Sequence, residues 1–209
     1  MTSRIIICRH GNTFDKGDVI TRVGARTDLP LSQSGQTQAA RLHRLFHPEN
    51  SSYKFEHAFC SDLRRTQETA LKILNNTHPA ILSERDFLKE IDYGIDENRP
   101  EEEVVKRLGQ QAILDWDTRA LVPRGWHVDP DKIRKNWQEF FIEMSKTSGD
   151  VLVVTSNGIA RFCLDVIDHI ACDTPPLKLS TAAFGIVTYD KGKVVLEGWN
   201  LKTLMEIGR

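Results

Sequence analysis

What this chain lacks narrows its function first. It has no apolar run long enough to cross a membrane, and its early hydrophobic stretch, Ile5-Ile6-Ile7-Cys8, ends at Arg9-His10. That stretch is also too short for the core of a secretory signal. Neither sign of charge is in surplus: 28 Lys and Arg stand against 29 Asp and Glu, a net charge of −1. The balance argues against a protein dedicated to nucleic acid or to a membrane surface. Cysteine is scarce, with only Cys8, Cys60, Cys163 and Cys172 and no Cys-x-x-Cys pair. Such usage fits reduced thiols in a cytoplasmic protein. No HExxH or comparable ligand spacing occurs, so neither a metal nor another cofactor is expected. Internal repeats, low-complexity segments and interdomain linkers are absent too, which reads as one domain over 1–209. Ser51-Ser52 and the stretch from Pro123 to Pro130 read as surface loops within it.

Short apolar runs alternate with longer amphipathic ones. Arg4 to Cys8, rich in β-branched residues, predicts a buried strand, and Phe55 to Cys60 a second. A short third is expected around Ile81-Leu82. Ser34 to Phe46 carries Ala39, Leu42, Leu45 and Phe46 at helical spacing, with Pro48 as the stop. Ser61 to Leu74 predicts a helix capped by Ser61. Glu101 to Leu121 and Asp131 to Lys146 are also helical. In the latter, Ile133, Trp137, Phe140, Phe141 and Met144 form one broad stripe, which is most simply core packing. Val151 to Thr155 is a strand. Asn157-Gly158 alone would signal a hairpin, yet Ile159, Phe162, Cys163, Val166, Ile167 and Ile170 recur at helical intervals. The expected order there is strand, tight turn, helix. Phe184 to Tyr189 and Val194 to Trp199 form a hairpin around Asp190-Lys191-Gly192-Lys193. Strands separated by helices imply an α/β fold: a three-layer sandwich whose central, mostly parallel sheet is flanked by helices.

In such sheets ligands bind beyond the carboxyl ends of the strands. The first strand delivers Arg9-His10-Gly11-Asn12-Thr13, and the second Ser61-Asp62 with Arg64 and Arg65 just behind. The strand ending at Thr155 delivers Ser156-Asn157-Gly158 at a helix start. Each has a plain structural reading, as loop, solvated helix face or turn. Arginines, a histidine and a helix N-terminus at three strand ends together describe a site for a doubly charged phosphate.

These residues also carry a family resemblance. Cys8-Arg9-His10-Gly11-Asn12-Thr13 resembles the Arg-His-Gly motif of the histidine phosphatase superfamily, also called phosphoglycerate mutase-like. Arg26-Thr27-Asp28-Leu29-Pro30-Leu31-Ser32 through Gln36 resembles that family's GRxDxPLSxxGxxQA segment, with Ala25 where the leading glycine stands. Ser61 to Ala70 resembles SDLxRAxQTA, which assigns the phosphate-binding arginine to Arg65. Leu88-Lys89-Glu90-Ile91-Asp92-Tyr93-Gly94 resembles the segment carrying the acid/base glutamate, here Glu90. The resemblance spans nearly the whole chain. It implies a metal-independent phosphatase in which His10 becomes a phosphohistidine. Arg9, Arg65, Asn12, Asn157, Gly158 and Arg26 would hold the phosphate, and Glu90 would exchange protons with the leaving group and water. The implied partner is a small phosphorylated substrate, with no nucleic acid and no membrane. Oligomeric state is left open, a homodimer included.

The chain departs from the family pattern in three places. The usual Ser-His-Gly is Ser156-Asn157-Gly158 here. An asparagine amide donates hydrogen bonds but carries no charge. Hydrogen bonds to charged groups are worth roughly 1.5–3 kcal/mol against about 0.5–1.5 for neutral ones. The resulting loss of about 1–2 kcal/mol is roughly five- to thirtyfold in rate. That keeps open a non-catalytic phosphate-binding relative. His127 and His169 are more simply surface residues than replacements. The mutases' ERHYG motif is Glu90-Ile91-Asp92-Tyr93-Gly94, without the basic pair, and their PxGES loop is Pro123-Arg124-Gly125-Trp126-His127. Both changes weigh against phosphoglycerate mutase activity. Finally, Asp15-Lys16 replaces a Trp-Asn pair, on a loop where Lys16, Arg22 and Arg26 either reach the substrate or lie in solvent.

Overall fold

In the computed structural model the described residues are 4–47, 49, 53–75, 82–190 and 192–206. Seven strands form one sheet: β1 (Arg4–Arg9), β2 (Phe55–Cys60), β3 (Leu82–Glu84), β4 (Asp150–Thr155), β5 (His169–Ile170), β6 (Phe184–Asp190) and β7 (Lys193–Leu201). Their order is β3-β2-β4-β1-β6-β7-β5. The half from β3 to β1 is wholly parallel. The other half is mixed, because the β6–β7 hairpin is antiparallel to β1 and β5 adds parallel to β7. Six helices flank it: α1 (Gln33–Phe46), α2 (Arg64–Ile73), α3 (Glu101–Leu108), α4 (Gln110–Arg119), α5 (Pro130–Met144) and α6 (Asn157–Ala160).

Strand alternation builds a core on each face of the sheet. Ile5, Ile7, Val151 and Val153 point to one side, where Val104, Trp116 and the α5 stripe of Trp137, Phe140, Phe141 and Met144 cover them. Ile6, Cys8, Leu152 and Val154 point to the other, under Leu42 and Phe46 of α1 and Ala70 and Ile73 of α2. The two long helices are capped as their sequences dictate. Ser32 accepts from Gly35 N ahead of α1, and Asp129 accepts from Lys132 N ahead of α5. At the end of the sheet opposite the strand carboxyl termini, Arg4 grips Asp150 with Nε–Oδ1 at 2.6 Å and Nη2–Oδ2 at 2.8 Å. All four cysteines are free thiols, three of them buried.

Several boundaries differ from expectation for identifiable reasons. Glu101 to Leu121 is two helices, because Gly109 adopts φ +84° and turns the chain between them. Ser61 does not cap α2. Its hydroxyl pairs with Thr66 Oγ1 at 2.8 Å, and the helix begins later, with Leu63 at the cap position. The apolar period from Ile159 holds only through Cys163. The helix tightens into a 3-10 segment over Arg161–Val166, and His169–Ile170 then pairs with β7 as a strand. Backbone bonds from Asp168 N to Val194 O and Ala171 N to Leu196 O satisfy that edge better than another helical turn could. The Pro123 to Pro130 stretch is not merely surface, since Trp126 is buried and donates Nε1 to Asp96 Oδ2 at 2.7 Å. The expected stop at Pro48, the Ser51-Ser52 loop, Ile81 and the turn residue Lys191 lie outside the described residues. Among the described residues, no helix is long and apolar enough to cross a membrane.

Trp137 is fully buried and ties α5 to the start of α6 by donating Nε1 to Ile159 O at 3.0 Å. Trp137→Ala is therefore expected to cost about 3–5 kcal/mol, read as a lowered urea midpoint. A shift of under 1 kcal/mol would show that this helix does not seal the core.

Candidate active site

Three strand ends converge because β4 lies between β1 and β2, in register Arg9↔Thr155 and Cys60↔Val154. The residues just beyond them, His10, Ser61 and Ser156-Asn157, therefore meet at one edge of the sheet. A cavity of about 410 Å³ opens there, lined among others by Arg9, His10, Asn12, Arg22, Glu90 and Asn157.

His10 is buried, with its backbone N donating to Thr155 O at 3.1 Å. Its Nδ1 stands 2.7 Å from Gly11 O. A carbonyl can only accept, so Nδ1 carries the hydrogen and Nε2 keeps its lone pair. Burial holds the ring's pKa well below the usual imidazole value of 6.5, and the charges of Arg65 and then Arg9 push it further down. The ring is held neutral with a fixed tautomer, a state in which Nε2 is chemically able to act as a nucleophile.

Arg65 is fully buried, donating Nη1 to Thr27 O at 2.8 Å and Nη2 to Gly24 O at 3.1 Å, while its Nε has no partner. Arg64 is exposed and pairs with Glu68. Arg9 lines the cavity, donates Nη1 to Leu179 O at 3.0 Å and also leaves Nε without a partner. Glu90 is buried, its Oε1 accepting from Ile91 N at 2.9 Å and its Oε2 from Gly158 N at 3.3 Å. A Cβ on Gly158 would fall 2.2 Å from Glu90 Oε1, so the carboxylate fits only against a glycine. Asn157 Oδ1 accepts from Leu179 N at 2.8 Å, which leaves the amide NH2 as the donor it can offer the cavity. Asn12 lines the cavity too, though its Nδ2 is engaged with Ser34 Oγ at 3.2 Å.

Other sequence candidates lie elsewhere. Arg26 is outside the cavity lining, held by Asp92 at 3.1 Å and by Gly94 O. Lys16 is exposed and off the cavity. Arg22 does line it, paired with Glu101 and lying over the rings of Tyr93 and Trp126. His127 is exposed against Asp92, and His169 is exposed on β5. Sequence reasoning gave no role to Tyr93, Trp116, Asp117 or Lys178, all of which line the cavity. It also passed over Arg161, buried four residues after Asn157. The i, i+4 spacing was a readable signal for Arg161, whereas Lys178 lies in a stretch with no periodicity. Tyr93's hydroxyl is pushed well above its usual pKa by burial and by Glu90, and stays protonated.

Residues 5–202 match the histidine phosphatase superfamily (branch 1). The chain belongs to that superfamily. It is 32% identical over 127 residues to a 2,3-bisphosphoglycerate-dependent phosphoglycerate mutase of Rhizobium etli, covering 58% of this chain and 57% of that protein. It is 34% identical over 148 residues to the fructose-2,6-bisphosphatase TIGAR of Mus musculus, covering 67% of this chain and 51% of that protein. The chain thus spans about half the length of the curated relatives it matches. Among solved structures, a phosphoglycerate mutase from Bacillus anthracis superposes with a TM-score of 0.77 at 19% identity, covering 98% of this chain and 95% of that one. A putative alpha-ribazole-5'-P phosphatase from Escherichia coli gives 0.72 at 21%, covering 96% and 97%. At those identities the likeness is one of fold.

Two expectations follow for this histidine phosphatase-like pocket. On NMR titration the His10 ring stays neutral as pH falls through 6.5, and Arg65→Met moves its protonation to higher pH. Because the unfolded chain takes up that proton first, acidification below about 6.5 withdraws stability, while above it the group contributes nothing. An ordinary imidazole titration would contradict the buried, arginine-flanked ring. Gly158→Ala should displace Glu90, seen as a rearranged carboxylate in a crystal structure. A variant that superposes on wild type at Glu90 would refute the steric constraint.

Proposed function

We propose that this chain hydrolyses phosphate monoesters through a phosphohistidine on His10. The observation that carries the reading is the imidazole itself: neutral, with its tautomer fixed by Gly11, and flanked by two arginines with unpaired buried Nε–H groups. A solvated loop histidine has no reason to be held this way.

Nε2 attacks phosphorus as the ester oxygen leaves, which forms one N–P bond and breaks one O–P bond. Arg9 and Arg65 neutralise the oxygens on which charge spreads in the transition state. Asn12 and the Asn157 amide complete the phosphate cradle, and Gly158 keeps Glu90 in place. Glu90 gives a proton to the departing oxygen and later takes one from the water that splits the N–P bond. The arginines supply the positive charge that phosphoryl transfer requires, so the scheme needs no metal. The relatives' names point to small phosphorylated metabolites as the substrate class. Asp92, in the segment where mutases carry a basic pair, pairs with Arg26 and His127, which favours hydrolysis over mutase chemistry.

A second reading is a phosphate-binding relative without turnover, and Asn157 is the observation that favours it. The two are separated by a phosphatase assay over a panel of phosphate esters in EDTA, with rapid quenching to trap acid-labile phosphoprotein. Wild type should release phosphate and trap label on His10, and His10→Ala should fall by at least about 10³-fold, the range for losing a covalent nucleophile. Equal background release from both proteins would leave the binding reading standing instead.

A further inference from the structure

Seven buried polar side-chain atoms among the described residues have no hydrogen-bond partner. Five belong to residues in or beside the cavity just described: Arg9, Arg22, Arg65, Ser156 and Arg161. Two of these, Arg22 and Arg161, are in no motif and no mechanistic step; Arg22 is paired with Glu101, which leaves Arg161. It is 1% exposed, at the end of α6. Nε donates to Asn157 O at 3.3 Å and Nη1 donates to Trp116 O. Its guanidinium carbon lies 4.2 Å over the Trp116 ring. Nη2 has no hydrogen-bond partner, and the nearest carboxylate, Asp117 Oδ1, is 3.9 Å away. Trp116, Asp117 and Asn157 all line the cavity. Arg161 therefore sits one layer behind the wall that faces the phosphate.

A guanidinium buried this fully, with one Nη unpaired, Asp117 at 3.9 Å and Glu90 acting on it without a hydrogen bond, is incompletely compensated. Burial depresses its affinity for a proton, and Tyr93, Glu90 and Asp117 act in the opposite sense. An anion held in the cavity would complete the compensation. The position is equally telling, since Arg161 is held by the backbone of the residue that replaces the family's charged histidine.

We propose that Arg161 is a positioning residue that restores the charge missing at Asn157: fixed behind the cavity wall, it raises the positive potential at the phosphate and holds α6 so that the Asn157 amide faces it. This rests on the cavity being a phosphate site. It adds to that reading a cation that never touches substrate. A plain strut between α4 and α6 would need the shape of Arg161 but not its charge, and that difference is measurable.

The test is calorimetric binding of inorganic phosphate at pH 6, with kcat/KM on an aryl phosphate in parallel. The proteins are wild type, Arg161→Gln, Arg161→Lys, Asn157→His and the Arg161→Gln/Asn157→His double variant. Arg161→Gln should weaken phosphate binding about tenfold, equivalent to about 1.4 kcal/mol. Arg161→Lys should keep affinity within about threefold of wild type while melting at a lower temperature, because it retains the charge and loses the carbonyl contacts. Asn157→His should improve binding more in the Arg161→Gln background than in wild type. Unchanged binding by Arg161→Gln overturns the proposal, as does equal loss in the Lys and Gln variants, or an equal gain from Asn157→His in both backgrounds. Should Arg161→Gln fail to fold, Arg161→Lys decides by the same threefold criterion. If wild type binds no phosphate, the site reading falls and this proposal with it. If wild type binds and Arg161→Gln is unchanged, this proposal alone falls.

Discussion

Parallel pairing of β1 with β4 is the constraint on which the rest of the site depends. The register Arg9↔Thr155 ends both strands at one level. His10 N then donates to Thr155 O, so His10 and the turn at Ser156-Asn157 are fixed to each other by a backbone bond rather than by side chains. The strands' inner residues, Ile5 to Cys8 and Val151 to Val154, are buried by helices on both faces. A slip of one residue would turn each apolar side chain to the opposite face and move His10 away from Asn157. The core therefore sets the geometry of the chemistry to within one residue of register. The Arg4–Asp150 clamp at the far end of the same two strands reinforces that register.

On that frame the electrostatics follow from burial. Burial, and then the charges of Arg65 and Arg9, lower the proton affinity of His10, so the cations beside the ring also keep it neutral. Each arginine is tethered by one or two backbone carbonyls and keeps an unpaired N–H. Such donors cost free energy in an empty cavity and gain it when an anion arrives, which is the signature of preorganisation. Glu90 is fixed by two backbone N–H groups, one of them on the glycine following Asn157. A single short turn after β4 thus positions both the Asn157 amide and the Glu90 carboxylate at the cavity wall.

The parts of the fold legible in the sequence were those governed by local period and by burial on two faces. The α5 stripe, the β6–β7 hairpin and the three apolar core strands β1, β2 and β4 all belong to this kind. The break at Gly109 and the passage from helix to strand after Cys163 were not legible. The first is a positive φ at one glycine, and the second depends on pairing with the distant β7, because apolar spacing alone cannot distinguish a sixth helical position from a short edge strand such as His169–Ile170. The same division runs through the site. His10, Arg65, Glu90 and Asn157 stand at strand ends or in motifs, and could be named from the chain. Arg26 stands in a motif too, yet the structure turns it to Asp92, because the loop carrying it is pinned by Glu97 to backbone N–H groups at Gly24 and Arg26. Tyr93, Trp116 and Lys178 reach the cavity only through tertiary packing.

Asn157 offers the cavity a hydrogen bond but no charge, and charge acts over distances at which hydrogen bonds do not. Two unit charges about 8 Å apart still interact by about 2 kcal/mol at an effective dielectric of about 20. That is comparable with the difference between a charged and a neutral hydrogen bond. A cation one layer behind the wall can therefore compensate for an uncharged residue within it. It also escapes the penalty of competing with Arg9 for the same phosphate oxygens. The arrangement has a kinetic consequence. A histidine here would lose its charge near neutrality, whereas guanidinium groups hold theirs at every physiological pH. The guanidinium groups of Arg9, Arg65 and Arg161 therefore make a contribution to the potential of the cavity that does not change as pH rises.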